Sequence, residues 1–463
     1  MSRAGATAVS ERETTPLARW ASALRWQDVP APVRFACGLH FVDAYGVAVA
    51  TGATPFGQGL LASLPTSATG PAQVIGHAHG VDPLRAALVN GTLVHGLEYD
   101  DTHIPSVIHG SAVAVAAALS QAHRDGVTLG ETLTGFLVTW EVMIRLGLLA
   151  PGGYQARGFQ TAAVCGPPAA ALAVGRLRGG SAHQLDEAFA IATSFSSGLR
   201  ADAADGATVK RSHLGWAAHA GVAAAELAET AMTGPRRPLS GSNGFLQVLA
   251  GQDAPVAVGE VLGDVGDRWH LLDAAYKLYP VCHYIHSYLD AIAELRLRRP
   301  LGSIATIECE VHPAVVPVIS DDEQQRRTPR TVEEAQYSLH FAVATMYLYG
   351  ACTLDEISDP SAPEIRAVAQ QVRVVVNPEL AFPGLFPAVI RVLDGAGTVL
   401  EQVDLPGPRG ATVPRAELVD ELRDKFIQNT SLRWSSSAAT SIFDELATQD
   451  LPGDRPLSDW PGS

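Results

Sequence analysis

From about residue 15 to about residue 270, apolar positions recur at helical spacing in segments that Gly and Pro interrupt. The pattern predicts helices over roughly 15 to 27, 31 to 51, 84 to 98, 111 to 124, 130 to 148, 167 to 178, 183 to 197 and 216 to 232. Val89, Leu93 and Leu97, every fourth residue, form the stripe of a core-facing helix. Small residues crowd segments such as AAHAGVAAAELAETA, where helices can approach closely. From about 300 to 405 the period changes. ATIECEVHP, VRVVVNP, AVIRVLD and TVLEQVDLP alternate or run apolar over strand lengths, and TVEEAQYSLHFAVATMYLYG between them reads as one long helix. After 410, RAELVDELRDKFIQ and SSAATSIFDELAT return to helix. The predicted fold is therefore mainly α. A large all-helical domain is made of both ends of the chain (15 to 270 and 406 to 450), and a smaller α+β domain (271 to 405) is inserted in it. Residues 1 to 14 and 451 to 463 are expected to be loose tails, and no repeat of fixed period is present.

Composition narrows the function. At 463 residues and 47% apolar content the chain has enough material for two cores. No uninterrupted apolar stretch reads as a bilayer span, and MSRAGATAVSERETT lacks the apolar centre of a secretory signal, so a soluble cytoplasmic protein is expected, without membrane contact. The formal net charge of -15 and the lack of a basic stripe argue against nucleic acid as a partner. The five cysteines are scattered and contain no CxxC, which argues against a disulfide framework, a zinc site or an iron-sulfur cluster.

Lysine use says more about chemistry. Of 33 basic side chains only Lys210, Lys277 and Lys425 are lysine. Where arginine serves almost everywhere, a remaining lysine either marks a place that needs a compact ammonium whose pKa responds to burial or is the residue of a base-composition bias, and the surroundings of two of the three favour the first. Lys210 lies in DGATVKRSHLGWAAHAG with Arg211, His213 and His219; Lys277 lies in YKLYPVCHYIHSYLDA ahead of His283 and His286. Two cation and imidazole clusters in an acidic chain imply pockets for a small polyanion. Lys425, on an amphipathic helix outside these motifs, reads as an ordinary surface charge. Carboxylates and imidazole also meet in HGLEYDDTHIPSVIHGS, where a helix ends at Glu98, Asp100 and Asp101 and another starts near Ser111. Groups of these types, brought together by a loop, suit proton transfer at carbon. His95 reads as a packed helix histidine and His103 as a loop residue. Gly166 before Pro167 reads as a helix start, whose free N–H groups would seat a carboxylate. Cys165 reads as packing, as do Cys282 and His283, and Arg211 as a partner for acids such as Asp205.

The ordered series LVNGTLVHGLEYDDTH, VIHGSAVAVAAAL, GFQTAAVCGPPAAALAVGRLRG, DGATVKRSHLGWAAH, GFLQVLAG, YKLYPVCHYIH and TVEEAQYSLHFAVA resembles the MmgE/PrpD family over about residues 15 to 445. The resemblance implies a helical domain with a smaller α+β domain, a homodimer, and an active site between the domains that works on a small polycarboxylate without metal or organic cofactor. It implies catalytic roles for His109, Lys210, Lys277 and Glu98, and substrate contacts from Thr102, Gln160, His213 and His286; Asp101 is a substrate-contact candidate from the acidic loop itself, where it and Asp100 read equally as solvated acids at a helix end. The family usually has Asp where Glu98 stands, and several relatives have His where Gln160 stands. The expected activity is that of a lyase, with dehydration first and decarboxylation or epimerisation as alternatives. A diverged member that has lost this chemistry, and binds a carboxylate ligand or has a new non-lyase role, is the other reading, and Glu98 and Gln160 are the residues that favour it.

Overall fold

The computed structural model describes residues 11–122, 127–201, 207–252, 258–298, 305–382, 384–448, 451 and 453–456. The main helices are α1 (Thr15–Ala23), α2 (Ala31–Ala53), α3 (Pro83–Val94), α4 (Gly110–Leu119), α5 (Leu129–Leu148), α6 (Thr161–Leu177), α7 (Ala182–Ala192), α8 (Lys210–Ala228), α9 (His286–Arg298), α10 (Leu339–Tyr349), α11 (Val419–Thr430) and α12 (Ser436–Leu446). Shorter helical turns connect them. Four strands, β1 (Thr306–Val311), β2 (Val372–Val376), β3 (Ala388–Leu393) and β4 (Val399–Leu405), form one sheet in the order β2-β1-β3-β4. β1 pairs parallel with β2 and antiparallel with β3, so the sheet is mixed, and Ile307, Cys309, Ile390 and Val392 turn to the interior. The protein is mainly α, and all four strand expectations correspond to strands.

Two glycines set the geometry that matters for the site. α8 packs against both α3 and α6. Where α3 and α8 cross, a Cβ on Gly91 would lie 2.6 Å from the Cα of Gly215, and one on Gly215 would lie 2.0 Å from the Leu88 carbonyl. Only a bare backbone allows this approach, and it carries Lys210, the first residue of α8, toward the end of α3. The alanines of these helices serve the same internal packing: Ala217, Ala218, Ala220, Ala224 and Ala225 are all buried.

Several boundaries differ from expectation. α6 starts at Thr161, and Pro167 and Pro168 lie inside it, so Gly166 marks no helix terminus and offers no carboxylate seat. Pro168 has no N–H for the Val164 carbonyl; Ser196 Oγ donates to that oxygen instead, at 2.8 Å, which makes the break tolerable. The single long helix expected around residue 340 is two helices, Val332–Gln336 and α10, because Ser338 caps the second through the Phe341 N–H at 2.9 Å. Tyr337 is left in the break between them.

The tails are only partly tails. Residues 1–10 and 457–463 lie outside the described residues. Thr14 is buried, with its hydroxyl 2.6 Å from Asp186, and Trp26 Nε1 donates to the Leu451 carbonyl at 3.2 Å. α2 has the length and apolarity of a membrane span (23 residues, mean hydropathy 1.3), contrary to the reading of the sequence. Its most apolar window is 89% buried, and α4, α11 and α12 pack against it. It is the central helix of a protein core.

Candidate active site

The motif at 97–102 and the lysine motif at 275–280 run antiparallel, and contacts of several kinds join them. Thr102 and Ala275 exchange backbone hydrogen bonds at 2.9 Å each way, and Tyr99 Oη donates to the Leu278 carbonyl at 3.1 Å. Gln336 Nε2 donates to the carbonyls of Leu97 (2.8 Å) and Pro280 (2.9 Å). Lys425 Nζ donates to those of Tyr99 (3.0 Å) and Lys277 (2.9 Å). Side chains from two other parts of the chain thus hold both motifs at a fixed separation.

The Glu98 side chain reaches from the first motif to the second. α3 begins with Asp82 as its N-cap and Pro83 in its first turn, and a 3₁₀ turn, His95–Leu97, ends at Glu98 in the left-handed region (φ 53, ψ 36). A residue with a Cβ pays about 1–2 kcal/mol for that conformation, and the same loop holds Val107 at φ 51. What this backbone achieves is the placement of one carboxylate on two ammonium groups. Lys210 Nζ donates to Glu98 Oε1, and Lys277 Nζ lies 3.2 Å from Oε2 and donates to the Glu98 carbonyl at 2.9 Å. Burial raises the Glu98 carboxyl, but Lys210 and Lys277 outweigh it and hold the group well below its usual range. Burial lowers the Lys210 ammonium against the opposing pull of Glu98. Tyr337 Oη, 2.6 Å from Lys210 Nζ, is a site residue that sequence reading missed. Its position in the break between two helices gives no periodic signal.

His109 stands just before α4. Its Nδ1 is 3.0 Å from the Asp101 carbonyl and 3.2 Å from Thr102 Oγ1. A carbonyl only accepts, so Nδ1 carries the hydrogen and Nε2 is the basic nitrogen of the ring. Burial, with help from Lys277 and Lys210 and against Asp100, lowers the His109 pKa to about 3. The free site therefore holds a neutral imidazole. Asp101 does not face a ligand as expected from the sequence. Its carboxylate accepts from the Ser111 N–H (3.0 Å) and hydroxyl (2.5 Å), tying down the start of α4, and His40 Nδ1 lies 2.7 Å away. It positions His109 through the backbone.

Gln160 and His213 join the site through a polar chain. Asp100 Oδ2 lies 2.8 Å from His95 Nδ1, His95 Nε2 lies 3.0 Å from Gln160 Nε2, and Gln160 Oε1 lies 2.9 Å from His213 Nδ1. The carboxylate accepts and the amide N–H donates, so every polarity along the chain is fixed. His95 is thus a link in this relay rather than the packed histidine expected, and its ring centroid is 5.1 Å from that of His109.

The remaining candidates fall outside the cluster. His286 is buried, with Nε2 3.3 Å from the Val281 carbonyl and its ring against Tyr279 and His283; it supports the turn of the lysine motif. Cys165, Cys282 and His283 are buried, as expected for packing. Asp205 lies outside the described residues, and Arg211 pairs with Glu333. The reading of Lys425 as a surface charge is corrected: it is 5% exposed and lies 2.8 Å from Asp43 Oδ1. A helical wheel marks only one face of α11 as apolar, and it cannot show that another part of the chain covers Lys425. Among the described residues one trio has cation-ligand chemistry. His103, His270 and Asp273 bring one ligand atom each within 4.8 Å of the others. Asp273 is 3.4 Å from Arg268, and the charges of Arg145 and Arg268 add to burial in lowering His270 to about 4, so two guanidinium groups oppose a cation there.

Residues 15–257 match the MmgE/PrpD N-terminal domain and residues 279–449 the MmgE/PrpD C-terminal domain. The chain is 25% identical over 435 residues to a cis-aconitate decarboxylase of Aspergillus terreus, covering 89% of this chain and 88% of that protein. It is 27% identical over 437 residues to a cis-aconitate decarboxylase-like protein of Aspergillus oryzae, covering 89% of each. A human cis-aconitate decarboxylase is 29% identical over 313 residues, 65% of this chain and 62% of that protein. With both domains matched over most of its length, the chain belongs to the MmgE/PrpD family.

Proposed function

We propose that this lyase decarboxylates a small unsaturated polycarboxylic acid, using Lys210 and Lys277 to hold carboxylates and His109 to carry the proton. The observation that carries the reading is the pair of buried ammonium groups meeting on one carboxylate beside an uncharged imidazole. A ligand carboxylate competes for the contacts that Glu98 makes in the free site. Its added negative charge favours protonation of His109, so a proton enters with the substrate. In the reaction the C–C bond to the leaving carboxylate breaks, and carbon dioxide departs. The bonding pair passes into an enolate-like anion conjugated with a remaining carboxylate, and His109 Nε2 returns its proton to carbon. Preorganised ammonium groups stabilise that anion without reorganisation. The names of the relatives support decarboxylation over the other family activities. Dehydration is the second reading, favoured by the neutral state of His109, which suits a base.

The test is a panel of di- and tricarboxylic acids in deuterated buffer, reading released carbon dioxide, loss of water and deuterium at carbon. Carbon dioxide with one deuterium per product is the expected result, insensitive to EDTA. Water loss without carbon dioxide moves the assignment to a dehydratase, and binding without exchange or turnover overturns the lyase chemistry.

We also propose a homodimer. The small-residue helices give it no support, because their small side chains are used internally. A partner copy would cover exposed apolar side chains such as Leu199 (62%), Val209 (51%) and Trp216 (47%). Light scattering at micromolar concentration is expected to give twice the chain mass; a monomer contradicts the proposal.

A further inference from the structure

We propose that Lys425 is a positioning residue of the active site, one that fixes the separation of the Glu98 and Lys277 backbones although it touches no substrate. The inference rests on the functional reading above for its kinetic consequence, but its structural content stands apart from it.

Lys425 comes from α11, far along the chain from both motifs it joins. Its ammonium donates to the carbonyls of Tyr99 and Lys277, the first adjacent to Glu98 and the second belonging to the lysine that binds Glu98. It also meets Asp43 Oδ1 at 2.8 Å and stands 3.9 Å from the centroid of the Tyr99 ring. Two carbonyls, one carboxylate and one aromatic face surround a group with three N–H donors. Asp43 and Lys425 are both nearly inaccessible, and burial pushes Asp43 up to about 6 while Lys425 pulls it back. A buried pair of this kind is weak support for stability, since replacing both charges by neutral groups of similar size is often nearly neutral. What the ammonium supplies in addition is geometry: one atom bonded to both strands of the site. Gln336 does the same on the other chain neighbour of Glu98, bonding the carbonyls of Leu97 and Pro280. Lys425 and Gln336 therefore bracket the Glu98–Lys277 contact. Arginine is a poor substitute, because its planar fork does not place a single nitrogen against two converging carbonyls. This accounts for the third lysine of a chain that otherwise uses arginine.

The test uses Lys425→Met combined with Asp43→Asn, which removes the ammonium without stranding a buried carboxylate. Expected results are a melting temperature within a few degrees of wild type and faster amide exchange confined to residues 97–102 and 275–280. A kcat at least about tenfold lower is expected with them, since small misplacements of reacting groups carry that order of cost. Lys425→Arg is expected not to restore the rate. Wild-type exchange at both segments, exchange raised evenly over the protein, or a kcat within twofold of wild type overturns the proposal. A wild-type protein inactive on every acid overturns the functional reading instead, and the exchange at the two segments then decides on Lys425 alone.

Discussion

Lys277→Met is expected to lower kcat/KM by two to three powers of ten, and Lys210→Met by a similar factor. Loss of one donor from a preorganised, water-excluded site costs about 2.7–4 kcal/mol of transition-state stabilisation. The geometry adds a stability term that sequence alone did not suggest. Each lysine also neutralises Glu98, so its removal leaves a buried carboxylate with one partner fewer. Each variant is therefore best compared with the same change in a Glu98→Gln background. There the melting temperature is expected to recover while the activity stays lost. Arginine at 277 is expected not to rescue, because the residue is fully buried and bonds the Glu98 carbonyl and carboxylate from one nitrogen. Steady-state kinetics with parallel melting curves measure both quantities. If the two lysine variants retain activity within a factor of a few, the clamp is structural.

The second large effect concerns His109. His109→Gln is expected to reduce kcat by two to four powers of ten, the usual contribution of a positioned acid or base. KM should change little, since the glutamine amide can still donate toward the Asp101 carbonyl that His109 Nδ1 meets. The pH profile distinguishes the chemistry. The free-site pKa of about 3 means that His109 is uncharged above that value until substrate arrives. If the step needs the protonated ring, as decarboxylation does, kcat falls as pH rises through the pKa of the complex. If it needs the neutral ring as a base, as dehydration does, kcat falls as pH drops through that pKa. Either limb should vanish in His109→Gln; a limb that survives belongs to another group.

Much of the fold was legible along the chain because local signals are strong there. Apolar spacing and Gly or Pro breaks place most of the long helices, and alternation places all four strands, since burial of one face leaves a period in the sequence. α6 was displaced because Pro167 ordinarily starts a helix, and the Ser196 hydroxyl that lets it sit inside one is distant in sequence. The site shows the same division. The rarity of lysine pointed to Lys210 and Lys277, and the acid-rich loop pointed to Glu98 and His109, because residue types needed for chemistry are chosen against composition.

Contacts made by single atoms across long separations leave no such trace. Asp101 looked like a ligand contact until Ser111 and His40 met its carboxylate, and Tyr337 was invisible until a helix break aimed it at Lys210. Lys425 looked exposed because a helical pattern records which side of a helix is apolar and not which other segment covers its polar side. Family, helical character and the residue types available for chemistry could all be read along the chain. Which of those residues meet depends on packing between distant segments. The crossing of Gly91 with Gly215, and the hydrogen bonds from Lys425 and Gln336 to the backbone of both motifs, join segments far apart in the chain, from 56 residues (Gln336 to Pro280) to 326 (Lys425 to Tyr99), and their energies depend on distances that only folding sets.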